Sequence, residues 1–556
     1  MHRARLVRLP LRRRPSTLPI VILIAIGLFA GPRVGAASSI TSRILIDPVG
    51  EYFGDVFGSS VAWVGDVNGD GYDDLLIGAF RYPETSSLGQ AYLYFGGPAI
   101  DSVADLVIPA PSGGTGLFGT SVASAGDFNG DGYPDFIIGA PQAGSEGRAF
   151  IYYGGPSLDA TPDLTLIGES TGSLTMFGAS VASAGDVNGD GFDDVIVGAP
   201  HYGRTSGDWD GRAYVFFGGA VPDAVPDRVF SAVGPQDQLG TVVGSAGDMN
   251  GDGHPDLFAS APYNDTPALN AGAIYVWFGG PGFDTTPDLV LHGSGINERL
   301  SLTAANAGDV NADGFSDLIG AEKDHLYVWF GGSTPNPVAD LTLAGSYSSV
   351  AGAGDVNGDG IDDFAVGAPN DFRGGSGRVS IYFGGSAVDT VEDLYYVGDS
   401  GGDIGLCIAG GGHVDGAGPS DLIVSAWFDP ESIGYNQGRV YVFANSSTCA
   451  GGTPVLPPAV NNSMSLVGDG SGTTIRWTDP PGPYNVYRGT RSGGSPWAYN
   501  QTCHDSHIAA SSAPDSGNPP IGSMFFYLVT RVDACGESIP GQDSGGHPNP
   551  NPSPCP

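Results

Sequence analysis

From about residue 42 to residue 444 the chain alternates short apolar runs with polar, Gly-, Pro- and Asp-rich breaks. Runs such as Leu75-Leu76-Ile77, Val195-Ile196-Val197 and Ala213-Tyr214-Val215-Phe216-Phe217 are β-branched or aromatic. They are too short for helices and predict β-strands, and their near-continuous apolarity suits strands covered on both faces. The runs come in sets of four, here lettered A to D. Strand A is led by Phe-Gly (Phe57-Gly58, Phe118-Gly119, Phe177-Gly178), weakens to Leu239-Gly240 and Ile404-Gly405, and lacks that lead in the fifth and sixth sets. An acidic loop follows. Strand B ends in Gly-Ala-Pro at Gly139-Ala140-Pro141, Gly198-Ala199-Pro200 and Gly367-Ala368-Pro369. Strand C runs into Gly-Gly, as at Gly96-Gly97, and strand D resembles Leu164-Thr165-Leu166-Ile167.

The acidic loop makes the period explicit. Its first acid recurs at Asp66, Asp127, Asp186, Asp248, Asp309 and Asp355, with a degenerate seventh copy at His413, at spacings of 61, 59, 62, 61, 46 and 58 residues. Seven units of four antiparallel strands predict an all-β fold, a seven-bladed β-propeller of four-stranded blades, followed by a small β-sandwich. The seventh unit supplies A, B and C and then runs out, while Ser42-Arg43-Ile44-Leu45-Ile46 stands alone before the first unit. That orphan run is expected to complete the seventh blade and close the ring.

Within each loop the residues follow Asp-x-Asn-x-Asp-Gly-x-x-Asp. Side chains at positions 1, 3 and 5 converge when the backbone curls, Gly at 6 permits the turn, position 7 offers its carbonyl, and the acid at 9 closes the shell. This is the logic of hard oxygen ligation of calcium. The expected ligand sets are Asp66, Asn68, Asp70, Tyr72 and Asp74; Asp127, Asn129, Asp131, Tyr133 and Asp135; Asp186, Asn188, Asp190, Phe192 and Asp194; Asp248, Asn250, Asp252, His254 and Asp256; Asp309, Asn311, Asp313, Phe315 and Asp317; and Asp355, Asn357, Asp359, Ile361 and Asp363. The seventh copy has His413, Asp415, Ala417 and Asp421 and is expected to hold no ion. Asp, Asn and Gly are also ordinary turn formers, but six copies of one nine-residue pattern exceed what turns require. Magnesium, which keeps its water and an octahedral shell, suits the pattern less well.

Phe-Gly, the acidic loop and Gly-Ala-Pro together resemble the FG-GAP repeats of the integrin α-subunit propeller and its bacterial relatives. The resemblance implies calcium in the A–B loops of one face, in a structural role, with ligand binding on the other. By strand topology the B–C and D–A loops share that other face. Its B–C loops carry Tyr82, Tyr202, Arg204, Trp209, Tyr263, Phe372, Arg373 and Tyr435, and variable loops on a rigid scaffold commonly bind.

The flanks read differently. Residues 1–36 combine a basic stretch (Arg3 to Arg14), an apolar run from Leu18 to Gly31 and a small-residue cleavage site at Val34-Gly35-Ala36. That is a signal peptide, the run being short of the roughly 20 residues a spanning helix needs. The propeller then spans 37–449, a linker 450–456, and a module over 457–544, before a Pro-rich tail over 545–556. The module's alternating runs Thr474-Ile475-Arg476-Trp477, Tyr484-Asn485-Val486-Tyr487-Arg488 and Phe525–Val532 resemble a fibronectin type III domain. Five cysteines, Cys407, Cys449, Cys503, Cys535 and Cys555, include no C-x-x-C pair. Export permits disulfides, with Cys503–Cys535 one option, and Cys407 reads as a small core residue.

Composition sharpens this. Ninety-one Gly and 43 Pro approach a low-complexity chain, but 41% hydrophobic and 10% aromatic residues are enough for a core. The net charge of −38 becomes −45 without the seven arginines of residues 1–36, which excludes a general nucleic-acid or anionic-membrane binder. Gly398-Asp399-Ser400-Gly401-Gly402 copies a protease nucleophile box, and Asp543-Ser544-Gly545-Gly546 echoes it. A Ser without a positioned base is inert, and no catalytic constellation stands out. The expected function is that of a secreted or cell-surface calcium-binding protein acting in adhesion or in binding an extracellular protein or glycan. A propeller enzyme acting on extracellular polysaccharide and a structural surface-layer component are the alternatives.

Overall fold

The computed structural model describes residues 40–46, 48–50, 55–82, 88–98, 100–111, 116–203, 209–232, 234–369, 377–397, 403–416, 418–426 and 438–447, and the backbone of seven strands between residues 465 and 537. Residues 1–36, 450–456 and 545–556, expected as signal peptide, linker and tail, both Ser-centred boxes, Ala417, Cys449, Cys535 and Cys555 lie outside the described residues. No helix occurs among the described residues. The chain forms two compact units, one holding Ser42–Asn445 and the other Ser446–Pro556.

The first unit is a seven-bladed propeller of four-stranded antiparallel blades. Blade 1 comprises Ser60–Gly65, Asp74–Ala79, Gln90–Tyr94 and Leu106–Pro109, and five more blades follow in the same chain order. Blade 7 orders its strands Ile40–Ile46, Arg439–Ser447, Asp421–Ala426 and Ile404–Gly412, so the first strand of the fold completes the last blade, as expected. The A strands contact one another around the centre, and Ser60–Gly65 meets Ile404–Gly412. Hydroxyls stitch that inner ring. Ser60 Oγ accepts the Val122 N–H at 3.0 Å, Ser121 Oγ that of Val181 at 3.1 Å and Ser180 Oγ that of Val243 at 3.1 Å.

The core is not one mass but seven apolar layers, each shared by two blades. One joins Leu76, Leu93 and Ile108 of blade 1 to Phe136, Phe150 and Tyr152 of blade 2. Another joins Ile423, Val440 and Val442 of blade 7 to Leu75, Ile77 and Tyr92 of blade 1. This explains why the B strands are buried along their length, as at Asp74–Ala79 and Asp194–Ala199, with only Ala368 of blade 6 partly exposed. Cys407 packs in the closing layer beside Trp63, its Sγ 3.1 Å from the Ser59 carbonyl, and burial pushes its thiol up to about 11.

The two signature dipeptides meet in these interfaces. Phe118 is bridged to Gly89 of the preceding blade and Phe177 to Gly147. The carbonyl of the next Phe-Gly glycine lies directly over the Gly-Ala-Pro glycine: a Cβ on Gly78 would strike the Gly119 oxygen, one on Gly139 that of Gly178, and one on Gly198 that of Gly240. In the next interface both partners are serine. Ser260 Oγ accepts the Val242 N–H at 2.9 Å, and Ser301 Oγ donates to the Ala273 carbonyl at 3.1 Å. Gly198→Ala is therefore expected to cost about 1–3 kcal/mol by overpacking, measured as a lowered urea midpoint.

The second unit forms two sheets. Ser465–Gly468, Thr473–Arg476 and Ser512–Asp515 make one, and Thr502–Ile508, Tyr484–Ser492, Ser523–Asp533 and Gly536–Glu537 the other.

Candidate functional site: the ring of acidic loops

Each A–B hairpin carries one acidic loop, built the same way in all six blades. Position 1 is the hub: Asp66 Oδ1 accepts the Asp70 N–H and Oδ2 the Gly71 N–H, at 2.8 and 2.7 Å. The same pair of bonds holds Asp127, Asp186, Asp248, Asp309 and Asp355. Position 5 accepts the position 7 N–H, as Asp70 Oδ1 does from Tyr72 at 3.1 Å. In the first five loops the Asn at position 3 donates to the position 5 carboxylate; in the sixth Asn357 turns to Asp363 at 3.4 Å. Gly71 at position 6 has φ 93°, a left-handed conformation that only Gly adopts without strain.

Position 9 lies beneath, fully buried. Asp74 accepts the Val67 N–H on Oδ2 and the Gly96 N–H on Oδ1, at 3.0 and 2.8 Å. Burial pushes Asp74, Asp135, Asp194, Asp256 and Asp317 up to about 7 and Asp363 up to about 8, with the acids at positions 5 and 1 adding to the rise and the backbone N–H bonds opposing it. Blade 7 keeps this arrangement without the rest: buried Asp421 accepts the Val414 N–H at 2.9 Å. Position 9 is thus a clamp of the loop in its own right.

The structure brings positions 1, 3 and 5 together and seats position 9 below them. Among the described residues no three acid, His or Cys side chains form a closed metal cage. Two observations test the fit of a hard cation. Among the described residues no Lys or Arg pairs with any of these loop acids, and the buried Oδ1 of Asn311, at position 3 of the fifth loop, has no hydrogen-bond partner. An oxygen-only donor set, short of positive charge and with an orphaned carbonyl oxygen, fits calcium. Position 7 presents its ring or alkyl group away from its own loop, so only its carbonyl is available there.

A second acidic motif on the same face was missed in the sequence. Every C–D loop of blades 1 to 6 carries two polar residues four apart: Asp101 and Asp105, Asp159 and Asp163, Asp223 and Asp227, Asp284 and Asp288, Asn336 and Asp340, Asp389 and Asp393. Asp101 accepts the Val103 N–H at 2.7 Å and Asp105 the Phe95 N–H at 2.8 Å, and the pattern repeats. Much of the acidity is therefore turn capping. The recurring four-residue spacing was the available signal.

On the opposite face Trp209 is 42% exposed and stacks on His201 with ring centroids 4.2 Å apart. Arg212 covers Tyr202 at 3.8 Å and Arg299 lies over Tyr263 at 5.0 Å, while Tyr82 is half-buried in the closing layer. Arg204, Phe372, Arg373 and Tyr435 lie outside the described residues.

Fold and loops together define a β-propeller of acidic-looped repeats. The profile of the FG-GAP repeat matches residues 57–94, 118–152, 177–216, 240–277 and 346–382. Five of the seven blades thus match the FG-GAP repeat. It is similar to integrin alpha-5 of Xenopus laevis, 37% identical over 168 residues, which cover 28% of this chain and 16% of that protein. It is also similar to integrin alpha-8 of Mus musculus, 37% identical over 169 residues, with the same shares, and to mouse integrin alpha-IIb, 38% identical over 165 residues, 27% of this chain and 15% of that one. The match spans about a sixth of the length of these relatives. All three are integrin alpha subunits. Among the described residues no helix is long and apolar enough to cross a membrane.

Proposed function

We propose that the chain is an exported, calcium-stabilised propeller that binds an extracellular protein or glycan through its B–C and D–A face. The carrying observation is the set of six loops that each gather three acids and an Asn with, among the described residues, no cationic side chain paired to them. When bound, calcium supplies the missing positive charge and draws positions 1, 3, 5 and 9 and the position 7 carbonyl onto one centre. The ions fasten the A–B hairpins and leave the opposite loops, Trp209 among them, free to bind. The similarity to integrin α subunits supports an adhesive or ligand-binding role, and the C-terminal strands suit a fibronectin-like module beyond the propeller.

Equilibrium dialysis should find about six calcium ions per chain; a value near zero rejects the reading. On glycan and protein arrays, binding that Trp209→Ala abolishes would establish the face, and a blank on both would reject the binding role. The loop positions are separable too. Asp190→Asn should remove one site and leave the calcium-free stability within about 0.5 kcal/mol of the parent, since position 5 is exposed. Asp194→Ala should lower stability with or without calcium by about 1–3 kcal/mol, because it takes the acceptor from the part-buried Gly218 N–H and leaves the buried Val187 N–H only the Gly185 carbonyl. Paired urea titrations with calcium and with chelator check both.

A further inference from the structure

The six loops are not independent hairpins. The ring at position 7 of loops 2 to 5 lies on the glycine at position 4 of the loop before it. A Cβ on Gly69 would fall 2.5 Å from the Tyr133 ring and one on Gly189 2.6 Å from the His254 ring; Phe192 sits likewise on Gly130 and Phe315 on Gly251. Those glycines lie between positions 3 and 5 of one loop, and the rings hang from the residues whose carbonyls the calcium reading assigns to the next. A second link runs through the Gly-Gly pairs. Gly154 N–H donates to Asp135 Oδ1, the position 9 acid of its own blade, while its neighbour Gly155 donates to the Val67 carbonyl in the preceding loop at 2.7 Å. Gly218 and Gly219 do the same for Asp194 and Phe128, and Gly279 and Gly280 for Asp256 and Val187.

The chain contains its own exception. Loop 5 carries Ala312 at position 4, at φ 62°, and the following loop carries Ile361, not a ring, at position 7. Where the seat is filled by a methyl, the ring that would occupy it is missing. The Gly-Gly link persists there, from Gly385 to the Val310 carbonyl at 2.8 Å, so only the ring contact is lost.

We infer that loops 1 to 5 bind calcium cooperatively, each ring on its neighbour's glycine carrying the order of a filled loop to the next, and that loop 6 is coupled more weakly. This rests on the calcium reading above. A filled loop fixes its position 7 carbonyl, hence the ring attached to it, hence the glycine backbone between two ligands of the loop before. Site coupling of this kind is a free energy shared by neighbours and is reciprocal. Tyr133, Phe192, His254 and Phe315 are accordingly positioning residues: they hold the adjacent loop and do not touch its ion.

The test is a calcium titration of the full chain against a competing chelator dye, with stoichiometry and slope read separately. Cooperative filling predicts about six ions, a Hill coefficient above 1, and one ion released apart from the rest. About six ions on a single non-cooperative isotherm overturns the coupling and leaves the calcium sites standing; no bound calcium removes both. The variant pair Ala312→Gly with Ile361→Phe should steepen the isotherm and bring the sixth ion into the cooperative run. Phe192→Ala, with its fold checked by thermal melting in chelator, should flatten it and weaken binding several-fold. An isotherm unchanged by both variants overturns the inference.

Discussion

Adding a chelator should lower the propeller's melting temperature by about 10 °C. With calcium at ten times Kd, each of six sites taken singly contributes about 1.4 kcal/mol to the folded state, about 8 kcal/mol together before any coupling between them. A propeller of about 400 residues unfolds with an entropy of about 2.1 cal/mol/K per residue, so that free energy converts to roughly 10 °C. The loss has a structural address. Without the ions each loop keeps its backbone bonds to positions 1, 5 and 9 but leaves three carboxylates crowded beside one another, one of them buried. Scanning calorimetry with and without chelator is the measurement, and an unchanged melting temperature would rule calcium out as a structural element. Magnesium at the same concentration should restore little of the loss, since it resists giving up its water.

The second large effect should come from deleting residues 42–47, which removes most of the Ile40–Ile46 strand. Arg439–Ser447 pairs with that strand on one side and with Asp421–Ala426 on the other, so the deletion leaves an open edge on blade 7. It also strips buried Ile46 from the layer shared by blades 7 and 1. The bonds from Val440 to the Pro48 carbonyl and from Gly50 to the Gly438 carbonyl, at 3.1 and 3.2 Å, then anchor nothing. The melting temperature should fall further than for any single loop variant. A truncated chain that melts with the parent would show that the ring does not depend on this closure. Adding the missing segment back as a peptide should restore part of the stability.

The repeat made most of this legible beforehand. Spacing alone located the blades, and the unmatched run at Ser42–Ile46 announced the closure because blade 7 was one strand short. The ligand positions were legible because a nine-residue pattern recurred six times. What stayed hidden were contacts between repeats. Phe-Gly and Gly-Ala-Pro read as two separate turns, yet Gly178 and Gly139 pack directly on one another across a blade interface. Leu300-Ser301 looked like a lost signature, but Leu300 is fully buried and the Ser301 N–H bonds the Ala321 carbonyl at 2.9 Å, so the turn survives under other residues. Position 7 was chosen for its carbonyl. Its aromatic character answered to a neighbour some 60 residues away, which no local pattern reveals.

The shared strand also sets an order of events. A chain emerging from its N-terminus holds Ile40–Ile46 almost from the start, but its partner, Arg439–Ser447, lies nearly 400 residues downstream. Hairpins within a blade join neighbours in sequence and form early, whereas this one pairing spans the whole propeller and carries nearly its full loop-closure entropy. The ring can therefore assemble blade by blade yet lock only at the end, with the first strand unpaired until the last blade exists. Until that last pairing forms, the fold does not reach its full stability.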